Sequence, residues 1–282
     1  MPASPSSSAQ AAREAVAARL RELMLDAGID GKGLSARCGW NPAKTPRVLT
    51  GKAAPSENDI RLWCTACNAD DQAADLIATS RAIESMYQEW RRLQRTGMRK
   101  FQEQVYALNE KASRQRVYVS NVVPGFFQTL AYATALMRSI TRFQNTPDDV
   151  AEAVTARIAR SRFLYEGGHR FAVVIEEGVL RHRFGTAEEM AGQLRHLLAV
   201  MPLASVSLGI IPFGAERAVW PLEAFYLFDD ERVVVETLTA EINVHQPREL
   251  ADYARAFAEL SSMAVYGDEA RALIAAAIDA LG

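Results

Sequence analysis

Apolar residues near the start of the chain recur with the period of an amphipathic helix. Between residues 11 and 27 the apolar positions are Val16, Leu20, Leu23, Met24 and Ala27. This spacing places them on one helix face, and Gly28 follows as a helix stop. The pattern predicts a first helix over 11–27. Residues 1–10, MPASPSSSAQ, have the composition of a disordered tail.

Two shorter helices are predicted after the first. Asp30 is placed to cap a second helix that ends near Cys38. Asn41 followed by Pro42 is a cap with proline at the first helical position, which predicts a third helix that is ended by Gly51.

A further helix and the order of the helices indicate a DNA-binding motif. Ser56, with Asp59 three residues later, matches a capping box and opens a fourth helix. A helix, a glycine-containing turn and a basic helix form the arrangement that lays one helix into the major groove of DNA. Residues 11–80 are therefore predicted to be a helix-turn-helix domain that binds double-stranded DNA.

The local charge changes the picture more than the net charge of −2 does. From residue 31 to residue 56 there are five basic residues and no acidic one. Such a field suggests a small anionic partner surface, although a solvated charged face is the alternative. The candidate DNA-contacting residues are Lys32, Asn41, Ala43, Lys44, Thr45, Arg47 and Lys52. Arg47 can fork onto guanine, Lys44 can meet a phosphate or guanine, and Lys52 is better placed for phosphate.

The segment 39–63, GWNPAKTPRVLTGKAAPSENDIRLW, resembles the recognition helix and following loop of Xre-type helix-turn-helix proteins. The matching residues are Lys44, Arg47, Gly51, Pro55 and Ser56. Pro46 and Leu49 depart from the pattern, which usually has serine and glutamate there. In a regular helix interior a proline costs about 3 kcal/mol. Alternatively the helix starts later, with Thr45 as the cap and Pro46 first.

A long linker helix is predicted after this domain. Residues 70–112 contain no proline and one glycine, Gly97, and residues 81–112 are predicted to be a basic linker helix. On such a helix Arg91, Arg95 and Arg99 would form one positive ridge. The ridge could contact phosphates, pair with the second domain or keep the connector solvated. We favour the last two together, because residues 117–282 carry 14 basic and 21 acidic residues.

Residues 113–282 are predicted to form a mixed α/β domain. Runs of β-branched and aromatic residues predict strands at 117–123, 171–175, 205–211, 225–228 and 233–237. Helical patterns fall at about 128–140, 147–166, 186–200, 247–264 and 267–281. Asp229 and Asp230 predict a hairpin turn between the last two strands. The predicted class is an α+β multidomain protein with an all-α N-terminal domain.

This second half also resembles a known domain. Segments such as VPGFFQTLAYATALM (123–137) and ARIARSRFL (156–164) resemble the uncharacterised domain that follows an Xre-type helix-turn-helix in many regulators of GC-rich, developmentally complex bacteria. The resemblance implies a transcriptional regulator whose C-terminal domain senses a ligand or binds a protein. It also implies a possible partner, a very small protein encoded nearby.

The sequence shows little catalytic or metal-binding chemistry. The lone pair Cys64 and Cys67 lies in a predicted helix and is interpreted as two buried residues, and the four histidines have no ligand spacing. Glu176 and Glu177 close a strand, where we expect one to cap the next helix and the other to be solvated. We therefore expect no enzyme, no cofactor and no metal.

Arg157 and Arg160 share one face of a predicted helix. They could grip an anionic ligand or pair with acidic side chains, and we interpret them as paired.

These observations rank three hypotheses. The first is a cytoplasmic, homodimeric DNA-binding regulator, since the chain has no secretory signal and no apolar run long enough for a membrane. The second is a protein-interaction adaptor or antitoxin-like partner with a degenerate helix-turn-helix, for which Pro46 argues. The third is an enzyme hidden in residues 113–282, which would use Glu176 or Glu177.

Overall fold

The computed structural model describes residues 5–89, 95 and 97–282. The chain divides into two compact units, Met1–Gln88 and Glu89–Gly282. The helices of the first unit are α1 (Pro5–Asp26), α2 (Gly31–Arg37), α3 (Lys44–Leu49), α4 (Glu57–Ala66) and α5 (Ala73–Met86). A three-residue strand, β1 (Tyr87–Glu89), follows at the boundary between the units.

The first unit is built around Trp63. Its side chain is fully buried, and its indole N–H donates a hydrogen bond of 3.0 Å to the carbonyl of Leu20 in α1. The predicted apolar stripe of α1 forms one wall of this core, together with Leu34 of α2 and Val48 of α3. Burial of one apolar face therefore holds each short helix in place, because helices this short are marginal alone.

The first helix begins earlier than predicted. It starts at Pro5, so the prediction of a disordered tail over 1–10 is wrong for residues 5–10, and residues 1–4 lie outside the described residues. Proline is favoured in the first turn of a helix, and no glycine or further proline interrupts the chain before Asp26.

The predicted linker helix over 81–112 is wrong as one continuous helix. The chain leaves helix α5 at Met86, and helix α6 (Arg99–Lys111) begins only after Gly97, whose φ of +101° is not helical. The backbone N–H groups of Met98 and Arg99 instead donate to the carboxylate of Asp149, at 2.8 Å each, which caps α6.

The predicted arginine ridge is lost with that helix. Arg95 forms an isolated bridge with Gly97 and is not helical, and Arg91 lies outside the described residues. Arg114 and Arg116, which pair with Asp230, lie beyond the predicted linker in the second unit itself and do not test the expected pairing of the ridge.

The second unit is a six-stranded mixed sheet with helices. Its strands are β2 (Arg114–Val119), β3 (Arg170–Glu176), β4 (Val206–Ile211), β5 (Phe225–Phe228), β6 (Arg232–Glu236) and β7 (Ala240–Val244). Their order in the sheet is β7-β6-β5-β2-β3-β4, with β2, β3 and β4 parallel and the other pairs antiparallel. The helices are α6, α7 (Leu130–Gln144), α8 (Val150–Ile158), α9 (Ala187–Val200), α10 (Pro247–Met263) and α11 (Gly267–Asp279). The predicted α+β class is confirmed.

Two strands differ from the prediction. Strand β7 was not predicted, because Glu241 and Asn243 interrupt its apolar pattern; both are buried, and the Asn243 amide donates to the Glu241 carboxylate at 3.0 Å. Strand β2 starts at Arg114, three residues early, and its Gln115 is buried. The predicted hairpin turn joins β5 to β6, with Asp229 at a φ of +49°.

Candidate nucleic-acid interface

A buried hydrogen bond joins the two helices of the motif. The hydroxyls of Ser35 in α2 and Thr45 in α3 are 2.8 Å apart, and both side chains are almost fully buried. Ser35 also donates to the carbonyl of Gly31 at 2.9 Å, so Thr45 donates to Ser35. The prediction that Thr45 faces DNA is therefore wrong, because the approach of α2 covers its side chain.

The start of α3 explains how Pro46 is tolerated. The Asn41 side-chain oxygen accepts the N–H of Ala43 at 2.9 Å, and the Asn41 carbonyl accepts the N–H of Lys44 at 2.9 Å. The helix then begins at Lys44, so Pro46 is its third residue. N–H groups in the first turn have no partner within the helix, so this proline removes no hydrogen bond. The helix starts later than the Asn41-Pro42 signal predicts, and Ala43 is the cap rather than Thr45.

One face of α3 is open to solvent. Ala43, Pro46, Arg47 and Thr50 are all exposed, and their spacing of three and four residues puts them on one side of the helix. No carboxylate in the described part of the chain comes within 4.0 Å of Arg47. Arg47 therefore presents an unpaired guanidinium on the open face.

Lys44 is engaged within the protein. Its ammonium lies 2.6 Å from a carboxylate oxygen of Asp59 in α4 and 4.6 Å from the centre of the Trp40 ring. Burial raises the pKa of Asp59, but hydrogen bonds from Lys44 and Ser56 outweigh this, so the pKa lies below its ordinary value. Asp59 also completes the predicted capping box with Ser56. Lys44 therefore joins α3 to α4, and its charge is largely balanced.

The remaining predicted contacts are exposed. Asn41, Lys32 and Lys52 are all solvent-accessible, and Lys32 and Lys52 have no ion pair among the described residues. Because the side-chain oxygen of Asn41 is used at the helix start, its amide NH₂ is the group left for a partner. Sequence reasoning missed Arg21 in α1, which donates to the carbonyl of Leu49 at 2.5 Å and supports the end of α3.

The cysteines and the paired glutamates belong to the protein framework. Cys64 and Cys67 are buried, as predicted. Glu176 is held by both terminal nitrogens of Arg217, at 2.7 and 2.5 Å, and Glu177 accepts the N–H of Phe213 at 3.0 Å. Neither glutamate is solvated, and Glu176 makes no capping hydrogen bond to the helical turn that follows it, so both parts of the prediction are wrong. Within the described residues no group of three or more histidine, cysteine or acidic side chains could hold a metal ion.

Comparison with known families agrees with this geometry. Residues 15–77 match a helix-turn-helix domain, and residues 102–276 match the domain of unknown function DUF5753. The second match covers more than half of the chain, so the chain belongs to the DUF5753 family. The helix-turn-helix domain suggests DNA binding.

More distant comparisons add little. A solved structure of TrmBL2, an archaeal chromatin protein described as showing a novel mode of DNA binding, aligns with 85% of this chain and 88% of its own. Its TM-score is 0.32 and its sequence identity 11%, too low to support an argument. No curated protein matches the sequence. No helix in the described residues has the length and apolarity needed to cross a membrane.

Proposed function

We propose that the chain is a sequence-specific DNA-binding transcriptional regulator that inserts α3 into the major groove. The observation that carries the proposal is the open face of α3, on which Arg47 has an unpaired guanidinium within a helix-turn-helix domain. An arginine fork matches the O6 and N7 acceptors of guanine. Asn41 and Ala43 lie at the leading end of the same segment, and Lys32 and Lys52 supply charge for phosphates.

Lys44 has a different role in this proposal. Its ion pair with Asp59 holds α3 against α4, so it positions the open face rather than reading a base. We propose a homodimer whose recognition helices meet half-sites about 34 Å apart, as two-fold operators require. The second unit would act as the part that senses a ligand or binds a protein, a small protein encoded nearby being one candidate. We assign it no catalysis, because Glu176 and Glu177 are both held in framework hydrogen bonds.

The test begins with the genomic fragments that the purified chain retains. Binding of a retained fragment is then measured by gel shift for the wild type, Arg47→Ala and the control Arg19→Ala. Arg19 is also an exposed arginine of this unit, but it contacts Glu22 and Gln72. We expect Arg47→Ala to weaken binding about 10- to 100-fold, the value of one bidentate base contact, and Arg19→Ala to change it little.

The salt dependence completes that test. Binding should weaken steeply as salt rises, because phosphate contacts release counterions. No affinity for any fragment at low salt would overturn the proposal and favour the adaptor hypothesis, in which the helix-turn-helix is degenerate. Equal binding by Arg47→Ala and the wild type would mean that α3 does not read DNA through its open face.

A further inference from the structure

Two neighbouring arginines of the second unit, one buried and one half-buried, have no acidic partner among the described residues. Arg157 is in α8, and Arg160 is in the 3₁₀ turn that follows it (Ala159–Leu164). Arg160 is only 6% exposed and Arg157 is half-buried. In the described residues, no carboxylate lies within 4.0 Å of either guanidinium. The interpretation of these residues as members of ion pairs is therefore wrong.

Neutral groups hold the two guanidiniums instead. The side-chain oxygen of Gln102 accepts from Arg157 Nε at 3.2 Å and from Arg160 Nη2 at 2.8 Å. The side-chain oxygen of Gln128 accepts from Arg157 Nη1 at 3.0 Å, and the Arg157 carbonyl accepts from Arg160 Nε at 3.2 Å. Neutral acceptors fix the orientation of both groups but leave two positive charges uncompensated.

The pKa values of both guanidiniums are lowered by this arrangement. Burial lowers the pKa of both guanidiniums, and the charge of Arg157 helps to bring the pKa of Arg160 to about 9. Glu236 acts on both from a distance greater than that of an ion pair. Glu236 therefore offsets the two charges only in part, and a bound anion would offset them further.

The segment 123–128 is shaped around the arginines. A Cβ atom on Gly125 would lie 2.6 Å from Arg160 Nη2, so glycine allows the backbone to approach the guanidinium. Gln128 is itself fixed, because its amide nitrogen donates to the carbonyl of Val123 at 2.7 Å. This segment, VPGFFQ, lies within the stretch 123–137 that resembles the uncharacterised domain, and here Gly125 and Gln128 lie against the arginine pair.

Each guanidinium keeps one nitrogen for a partner outside the protein. Arg157 Nη2 and Arg160 Nη1 donate no hydrogen bond to a described residue, and neither is among the fully enclosed polar atoms of the described residues that lack a partner. Paired N–H donors on adjacent planar groups match the oxygens of phosphate and carboxylate. We propose that Arg157 and Arg160 form a binding site for the oxyanion group, phosphate or carboxylate, of a small-molecule effector.

The effector role rests on the proposed regulatory function, but anion binding is measured without DNA. The thermal unfolding midpoint of the full chain is followed against sodium phosphate and against sodium acetate, with sodium chloride at equal ionic strength as the reference. We expect a saturable rise in phosphate, acetate or both that chloride does not reproduce. A rise in phosphate alone assigns a phosphorylated ligand, and a rise in acetate assigns a carboxylate. Equal midpoints in all three salts would overturn the site, while the DNA-binding proposal would stand.

Variants locate the site. Arg157→Gln should weaken the anion-dependent rise at least tenfold in apparent affinity. The control Arg162→Gln should keep it, because Arg162 is exposed and paired with Glu166. If Arg157→Gln does not fold, Gly125→Ala replaces it, since the added Cβ displaces the Arg160 guanidinium. Full retention of the rise in the folded variant would overturn the assignment.

Discussion

The basic side chains of the helix-turn-helix unit and those of the second unit differ in their exposure to water. Arg47 is exposed to water on the open face of α3, with no carboxylate of the described residues within 4.0 Å, and this costs little because water solvates it. Arg160 is buried and Arg157 half-buried, and the neutral oxygens of Gln102 and Gln128 hold their guanidiniums. The first arrangement suits a partner that brings its own surface to the protein, such as DNA. The second suits a small anion that enters the protein.

Lys44 differs from both cases, because a carboxylate of the protein pairs with it. It sits one helical turn before Val48 on α3, in the middle of the basic segment, yet Asp59 balances its charge at 2.6 Å. A cation is therefore available to a partner only when the fold places no carboxylate beside it.

Arg160→Met should remove a destabilising charge and a ligand contact together. In buffer without phosphate or carboxylates, we expect the variant to be at least as stable as the wild type, since an uncompensated buried charge is lost. At phosphate about 100 times its dissociation constant, the wild type should gain about 2.7 kcal/mol and the variant nothing. Urea unfolding followed by circular dichroism measures both. A loss of more than about 3 kcal/mol without phosphate would mean that the arginine is a framework residue.

Lys44→Met should lower the free energy of unfolding more than Arg47→Met does. Removing the ammonium leaves the carboxylate of Asp59 partly buried without its partner, so we expect the helix-turn-helix unit to lose about 1–2 kcal/mol. Exposed Arg47→Met should change stability by less than about 0.5 kcal/mol. Urea unfolding of both variants gives the comparison. Equal losses would contradict the separate roles assigned to the two cations.

Lys52→Ala should weaken DNA binding evenly across sequences. Lys52 is exposed beyond the end of α3, so its loss should reduce the slope of log affinity against log salt by about 1 without changing which fragments are preferred. Gel shifts at several salt concentrations measure the slope, with Lys100→Ala, an exposed lysine of the second unit, as the control. A changed fragment preference would place Lys52 at a base instead.

The smallest effect concerns pH. Because the pKa of folded Asp59 lies below its ordinary value near 3.9, its ion pair stabilises the protein above about pH 4, and this stabilisation is lost as pH falls through the folded pKa. Asp59→Asn should therefore lose stability at neutral pH and show a weaker dependence on pH below about 4. Unfolding free energies of both proteins between pH 3 and 7 provide the measurement, and identical pH profiles would contradict the assignment.

Features set by neighbouring residues could be predicted from the sequence. The cap of α2 at Asp30 and the capping box of Ser56 and Asp59 depend on residues at most three positions apart, and both are present. The helix-turn-helix followed from such signals. Strand β7 did not, because Glu241 and Asn243 are buried by pairing with each other, which an apolar pattern does not reveal.

The candidate sites depended on contacts between distant residues. The sequence does not reveal that Thr45 is buried, because its partner Ser35 lies ten residues away in another helix. It also does not show that α3 begins at Lys44, which puts Pro46 in the first turn, where proline is tolerated. Arg157 and Arg160 could be placed on one helix face from their spacing. Their actual hydrogen-bond acceptors include Gln102, which is 58 positions from Arg160 in the sequence and could not be predicted from local spacing.

The amino-acid sequence alone determined the caps of several helices, the helix-turn-helix and the α+β class, because caps, turns and periodicity act over a few residues. The tertiary structure alone decided which positive charges have partners. The answer depends on groups far apart in the chain: Lys44 pairs with Asp59, whereas exposed Arg47 and buried Arg160 have no ion pair among the described residues.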